Sequence, residues 1–380
     1  MSLKTYKKYY IFGYLNLYYT NLIFAYDPSK ESYQEFKFRF FLDHYGFKQI
    51  RLNVSWIVPV LVLLESIIGS LLVLFRFVYL TVKMPFVKKE KYTGLNFIAS
   101  LSMISFRVKD MLKAVRPSEV CTLKIPFTLC NYKENEIDIL SSLRFSDIFS
   151  SFVGSLSIIW TIYLKYGRRD FLFRSYSSFE YLLTCCFVKN TTDNNRFVYY
   201  NTYDRWAFLM CNTKESTFIQ HGKLMDTLSF IKVGTPETAY YLSKKQRTIL
   251  EKILFKNTPR NVKFRKPMEF THNEVLQHNG KKNVLLVCWN NNIEYEREIC
   301  ELLTDQCNLY IKPHPGDKDN PAYPEMAERC NGVIIPKIGY PQVDVVVSYD
   351  STLADEYEDV GIKVIRYDLL KDLSELKNLI

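Results

Sequence analysis

Two short stretches hold the side chains of this chain that can do chemistry together: Lys312-Pro313-His314-Pro315-Gly316 and Ser348-Tyr349-Asp350-Ser351-Thr352. The first joins an ammonium to an imidazole, and proline on both sides of His314 restricts the backbone and holds the loop open. Both side chains can donate to a phosphate oxygen. The second stretch offers the hydroxyls of Ser348, Ser351 and Thr352 just before an expected helix, Leu353 to Val360. Hydroxyls and N–H groups at a helix start make an anion site. Each stretch follows an apolar strand-like run, Asn308 to Ile311 and Val343 to Val347. Both loops thus fall at the carboxyl ends of strands, where α/β sheets bind ligands. Plainer readings exist for each. A histidine between prolines also suits a solvated turn, and Ser, Thr and Asp cap helices for backbone reasons of their own. The row of polar groups is longer than a cap needs. Asp355 and Glu356 in the first helical turn complement the helix dipole; a carboxylate there, Glu356 in particular, can also accept from the ribose hydroxyls of a nucleotide.

A third stretch, Gln220-His221-Gly222-Lys223, ends another strand-like run, Ser216 to Gln220. A strand-end imidazole titrates near neutral pH and can act as general base on an acceptor hydroxyl. A structural histidine held in a turn is the competing reading. Asp204 and Asp226 are weaker acidic candidates.

The elements that must position these groups follow from periodicity. Asn283 to Trp289, Asn308 to Ile311, Gly332 to Pro336, Asp344 to Ser348 and Lys363 to Tyr367 read as strands. Helical patterns lie between them at Ile293 to Thr304, Pro321 to Cys330 and Leu353 to Val360, with Leu369 to Leu379 as a terminal helix. Such alternation predicts a parallel sheet covered by helices on both faces. Upstream, Lys7 to Tyr14 reads as a first strand and Ser32 to Asp43 and Ser105 to Val115 as helices. Thr122 to Phe127 reads as a strand, and Ile137 to Tyr166 and Ser178 to Val188 as helices. Arg196 to Tyr200 and Phe230 to Val233 read as strands, the latter followed by Gly234-Thr235-Pro236 and a helix. The expected organisation is an N-terminal acceptor-side domain over 1–242, a connection over 243–282, and a C-terminal nucleotide-binding α/β domain over 283–380.

From 54 to 82 runs an apolar segment. Its centre, Trp56 to Phe75, carries Glu65 as its only charge, and Lys83, Lys88, Lys89 and Lys91 follow. Its length suits a bilayer span. Glu65, Pro59 and Gly69 suit a helix lying in the membrane interface, with lysines on lipid phosphates, or a buried core helix. All three remain open at this stage. The net charge of +10, from 50 Lys and Arg against 40 Asp and Glu, favours anionic partners. No nucleic-acid motif is present, and no nucleic-acid partner is expected. Nine scattered cysteines without a Cys-x-x-Cys pair, and a start without a cleavable signal pattern, point to buried free thiols in a reducing compartment.

The succession of His221-Gly222 after a strand, Lys-Pro-His-Pro at 312–315, and DVVVSYDSTLADEYEDVGIKVIRYD over 344–368 resembles bacterial surface-polysaccharide transferases of the GT-B fold. These include sialyl- and Kdo-transferases and the teichoic-acid polyol-phosphate transferases; residues 344–368 are similar in layout to the last group. The resemblance covers about residues 196–368. It implies an α/β chain of GT-B-like form, two Rossmann-like domains facing a cleft, with a helix-rich N-terminal half that contains the apolar segment. It implies a glycosyltransferase that moves a sugar from a nucleotide-activated donor to a growing surface glycan: capsule, O-antigen or lipooligosaccharide. A CDP-polyol-dependent polyol-phosphate transferase and a non-catalytic membrane-associated scaffold are the alternatives. By the same resemblance His314, Ser351 and Thr352 contact donor phosphate, with Ser348 a further candidate, and His221 is the base. The Asp/Glu-Asp/Glu-Gly motif of many sialyltransferases is absent, and Gln220 stands where the polyol-phosphate family has tryptophan before its His-Gly. Preformed donors and a cation can stabilise a leaving phosphate, so a metal-independent reaction without cofactor is expected. The expected partners are the nucleotide-sugar donor, a glycan or lipid-linked acceptor and the membrane, at the inner face of the cytoplasmic membrane.

Overall fold

A computed structural model describes residues 2–25, 58–98, 120–128, 136–165, 175–191, 195–200, 202–220, 222–224, 228–264, 269–289, 292–314, 320–336, 339–349 and 351–380. They form two compact units, Met1–Phe264 and Arg265–Ile380.

Seven parallel strands form the sheet of the first unit: β1 (Asn96–Ile98), β2 (Val120–Lys124), β3 (Glu136–Asp138), β4 (Arg196–Tyr199), β5 (Ser216–Ile219), β6 (Thr238–Tyr241) and β7 (Asn261–Phe264). They lie in the order β3-β2-β1-β4-β5-β6-β7, and every pair is parallel. The chain runs outward from β1 to one edge, returns to the centre, and runs outward to the other edge. That reversal between β1 and β4 is the Rossmann signature. The helices are α1 (Leu3–Ala25), α2 (Val58–Lys83), α3 (Phe145–Lys165), α4 (Ser178–Thr191), α5 (Arg205–Met210) and α6 (Lys244–Ile253).

The opening read as a strand is helical. Tyr6, Tyr10 and Tyr14 recur every four residues and are buried together, so the aromatic composition suggests a strand while the spacing builds α1. The helix packs against α5. Its Asn16 is buried, donating to the carbonyls of Tyr203 (3.0 Å) and Ile231 (2.9 Å) and accepting from Ile231 N–H (2.8 Å). Gly13 permits this approach, since a Cβ there would lie 2.1 Å from Arg205 N.

Phe230 to Val233 is not a strand either. Val233 N–H bonds the Leu254 carbonyl at the end of α6 (3.0 Å), and the neighbouring sheet position is taken by β6 and followed by α6. Residues 243–264, read from sequence within a connection, therefore carry α6 and β7, which close the first sheet. Ser32 to Asp43 and Ser105 to Val115 lie outside the described residues.

The apolar segment forms α2, and α3 packs along it. Both helices are long and apolar enough to cross a membrane, by length and composition alone. Yet α2 is fastened to the protein. Its inner face buries Val62, Glu65, Ser66 and Val73. Arg76 turns inward to donate to Glu180 on α4 and lies 5.1 Å from the Phe127 ring and 5.4 Å from that of Tyr176.

The second unit holds five parallel strands: β8 (Asn283–Val287), β9 (Asn308–Lys312), β10 (Val333–Ile334), β11 (Val345–Ser348) and β12 (Lys363–Arg366). Their order is β10-β9-β8-β11-β12, the same central reversal. Helices α7 (Ile293–Leu303), α8 (Ala322–Arg329), α9 (Thr352–Asp359) and α10 (Leu376–Leu379) complete it. The expected terminal helix shrinks to α10 after two single turns. One face of the sheet buries Leu286, Ile311 and Val347; the other buries Leu285, Tyr310 and Val346. The chain is thus α/β with two Rossmann-like units, a GT-B-like composition, and a helix-rich N-terminal half. The eight described cysteines are buried and free.

Two outcomes test this packing. Gly13→Ala should lower stability by about 1–3 kcal/mol, the usual cost of overpacking, read by urea unfolding. Burial pushes the Glu180 carboxyl up to about 7, against the pull of Arg76. A carboxyl raised in the folded state holds a proton that the unfolded chain has released. Its stabilising contribution is therefore present below the ordinary value of 4.5 and lost as pH rises through the folded value. The melting temperature should fall from about pH 5 to about pH 8 on this account, and Glu180→Gln should flatten that slope.

Candidate functional site

The reversal of the second sheet, between β8 and β11, is where ligands are expected in such folds. Three strands reach their carboxyl ends there in one register row. Val287 of β8 pairs with Lys312 of β9 on one side and with Ser348 of β11 on the other. At the usual strand spacing the Lys312 and Ser348 backbones lie about 10 Å apart. Tyr310, Val287 and Val346 mark the sheet face shared by this row. The two loops singled out in the sequence thus leave neighbouring positions on one edge, with β8 between them.

Ser348 and Ser351 are joined. The Ser348 hydroxyl, fully buried, donates to Ser351 Oγ at 3.0 Å. Ser351 Oγ also accepts from Ala354 N–H at 3.0 Å, capping α9. A hydroxyl has two acceptor sites and one proton to give. With both sites filled, Ser351 is left as a donor at the start of the helix. In the first turn of α9, which Thr352 opens, Ala354 N–H bonds this hydroxyl and Asp355 N–H bonds Ser351 O (3.3 Å). The cap and the ligand reading are therefore compatible: capping fills the acceptor sites of the hydroxyl and leaves its proton.

The remaining predicted groups divide. His314 is exposed just past β9. Lys312 is buried (4% exposed), and its ammonium donates to the carbonyls of Pro336 (2.8 Å) and Gly339 (2.7 Å) and lies 4.9 Å from the Tyr340 ring. The loop it grips is tied in turn to Thr271 and Asn273: Thr271 N–H bonds Tyr340 O (2.8 Å), and Gln342 N–H bonds Asn273 Oδ1 (2.7 Å). Asp355 accepts from Arg366, which also bonds Glu358; Glu356 is half-buried beside it. The Asp204 carboxylate caps α5 through Trp206 and Ala207 N–H.

His221 and Asp226 lie outside the described residues, but the frame around His221 is described. Gln220 is fully buried; it donates to Gly222 O (2.9 Å) and Gln246 Oε1 (2.7 Å) and accepts from Leu242 N–H (3.1 Å). Gln246 in turn holds both main-chain groups of Leu224. Two amides thus fix the loop after β5.

Two features went unread in the sequence. Trp289 lies two residues past β8, is 42% exposed, and stands 6.3 Å from Tyr349, which stands 5.7 Å from Tyr367. A half-exposed aromatic pair across the reversal point offers a face for a planar ring. The signal was a tryptophan immediately after a five-residue apolar run. The other feature is Asp317-Lys318-Asp319, an Asp-x-Asp spacing shortly after His314 in the sequence. It bears on the expected metal independence, and it lies outside the described residues. Carboxylates beside substrate phosphates are how Mg²⁺ is commonly held.

No family model matches the chain, and no curated protein matches it. Among solved structures, the wall teichoic acid polymerase TagF is 10% identical with a TM-score of 0.37, over 80% of either chain. UDP-N-acetylglucosamine 2-epimerase from Rickettsia bellii is 9% identical with a TM-score of 0.33, over 71% of this chain and 77% of its own. Both scores are low, and the fold assignment stands on the strand order.

The two hydroxyl and ammonium roles predict different losses. Ser351→Ala should cost about 1 kcal/mol of stability, the usual worth of a cap. Lys312→Met should cost about 2–3 kcal/mol, because the Pro336 and Gly339 carbonyls lose a charged donor. Chemical denaturation of both variants checks the order.

Proposed function

We propose that the chain is a glycosyltransferase of bacterial surface-polysaccharide synthesis, taking a sugar from a nucleotide-activated donor held in the unit Arg265–Ile380. The observation that carries this reading is the Ser351 hydroxyl at the start of α9, which accepts from Ser348 Oγ and Ala354 N–H and so keeps its own proton to donate. Thr352 and His314 add donors to the donor phosphates. Lys312 contributes positive charge from beneath while holding Pro336 and Gly339. Trp289 and Tyr349 offer the base a stacking face, and Glu356 accepts from the ribose. As the glycosyl bond breaks, negative charge grows on the leaving phosphate, and donors already in place stabilise it there. His221, on the loop fixed by Gln220 and Gln246, takes the proton of the acceptor hydroxyl. The acceptor is a glycan or lipid-linked glycan, worked on at the inner face of the cytoplasmic membrane.

A second reading, a CDP-polyol-dependent polyol-phosphate transferase, is favoured by the layout of residues 344–368. In it the same donors stabilise a leaving CMP. Metal independence is part of the first proposal, and Asp317-Lys318-Asp319 puts it to a direct test.

Thermal stabilisation of the purified chain by CMP, CDP, UDP and GDP tests the donor site, since a bound ligand raises stability by mass action. One nucleotide should raise the melting temperature, and Ser351→Ala and His314→Ala should each reduce the shift. UDP or GDP would indicate an ordinary sugar nucleotide; a cytidine nucleotide would leave the CMP-sugar and CDP-polyol donors to be separated by turnover. Loss of the shift in EDTA, restored by Mg²⁺, would replace the metal-independent reading. No shift with any nucleotide at millimolar concentration would sink the donor-site assignment and bring forward a non-catalytic scaffold.

A further inference from the structure

We propose that the outer face of α2 and α3 docks on an anionic lipid bilayer, with both helices lying in the plane of its surface. The face is built by exposure at helical spacing. Leu64, Ile68, Leu71, Phe75 and Val82 are exposed along one side of α2. On α3 the exposed side carries Phe149, Val153, Trp160 and Leu164. In all, ten large apolar side chains on α2 and five on α3 face outward. Soluble proteins seldom leave such a patch uncovered, and its presence marks an interaction surface.

The charges of α2 are turned away from this face. Glu65 is buried, and Arg76 is committed to Glu180 on α4. That buried ion pair also fixes the geometry. A helix of 26 residues, about 39 Å long, is held lengthwise against α3 and pinned to α4 by this pair, and presents its side, rather than its end, to a membrane. The same pair distinguishes an in-plane helix from a span: crossing would require α2 to leave the partner of its one internal cation.

Charge at the rim selects the occupant. Phe77 of α2 stacks on Phe152 of α3 at 4.5 Å, while Gly69 faces Ile159, so the two helices run antiparallel. The end of α2 and the start of α3 therefore meet at one edge. Lys83, Lys88 and Lys91 follow one another there and Arg144 precedes α3, outnumbering the carboxylates of Glu90 and Asp147 at the same edge. A cavity of about 810 Å³ opens at that edge, lined by Lys89, Lys91 and Arg144 together with Glu90 and Asn190. Lys89 braces its wall by donating to the carbonyls of Leu143 (2.6 Å) and Leu140 (3.3 Å). At the far end of α3 stands Lys165. A second copy laid on this face would set cation against cation, whereas lipid phosphates complement the rim and acyl chains complement the face. All of this belongs to the first unit, so the surface does not rest on the transferase reading, and failure of nucleotide binding would leave it standing.

The test uses the full purified chain with vesicles of phosphatidylcholine alone and of phosphatidylcholine with one-third phosphatidylglycerol. Co-sedimentation should be strong with the anionic vesicles, weak with the neutral ones, and reduced by salt. Ile68→Asp with Leu71→Asp should lower binding about tenfold or more, since each charge would have to enter the lipid. Lys88→Glu with Lys91→Glu should do the same for the electrostatic part. All four side chains are exposed, so circular dichroism and melting temperature should stay at wild-type values. Equal binding by wild type and variants would overturn the proposal. So would a wild-type dimer in solution that Ile68→Asp with Leu71→Asp converts to monomer, which would assign the face to a second copy. Retention of the chain in membranes after alkaline carbonate treatment would overturn the in-plane geometry.

Discussion

A parallel sheet joined by crossovers buries both of its faces and leaves only its strand ends for chemistry. Much else in this chain depends on that constraint. It explains why β8, β9 and β11 are buried along their whole length and why the polar residues with ligand-binding potential sit at their last position or within four positions beyond it. It also explains the row Lys312–Val287–Ser348: strands that start in register end in register, and their loops are delivered side by side. The reversal of strand order at β8 then opens a gap between adjacent loops in which a ligand can sit.

Within that frame, structural and chemical roles are shared rather than separate. Ser351 caps α9 and, because its acceptor sites are filled by Ser348 and Ala354, is left as a donor. Lys312 steadies Pro336 and Gly339 while placing a positive charge under the strand ends. Gln220 and Gln246 spend their amides on the loop that carries His221. In each case an interaction required by folding sets the direction or position of a group that a phosphate or hydroxyl can use.

The N-terminal half solves a different problem. Its sheet is covered by α1, α4 and α5, and Asn16 and Gly13 allow α1 to lie close. Helices α2 and α3 then add a layer with an inner face that fits the protein and an outer face that is exposed. The buried Arg76–Glu180 pair is costly to desolvate, and its evident structural consequence is to hold α2 along the body.

The sequence by itself determined the elements whose signal is local. Strand–helix alternation from Asn283 onward, the cap before α9, and the Lys-Pro-His-Pro loop were all legible, because burial pattern, cap chemistry and proline act within a few residues. Lys7 to Tyr14 misled because aromatic richness favours strands while the four-residue spacing of Tyr6, Tyr10 and Tyr14 favours a helix, and packing on α5 decided between them. Phe230 to Val233 was apolar enough for a strand, but its Val233 N–H went to the end of α6, and β6 took the sheet position. Trp289 was unread because its significance depends on Tyr349, sixty residues away in sequence and one strand away in space. Only the tertiary structure could bring Lys312 and Ser348 into one row, turn Arg76 inward, or leave one side of α2 bare, since strand order, ion pairing and exposure are relations between distant segments that no local pattern encodes.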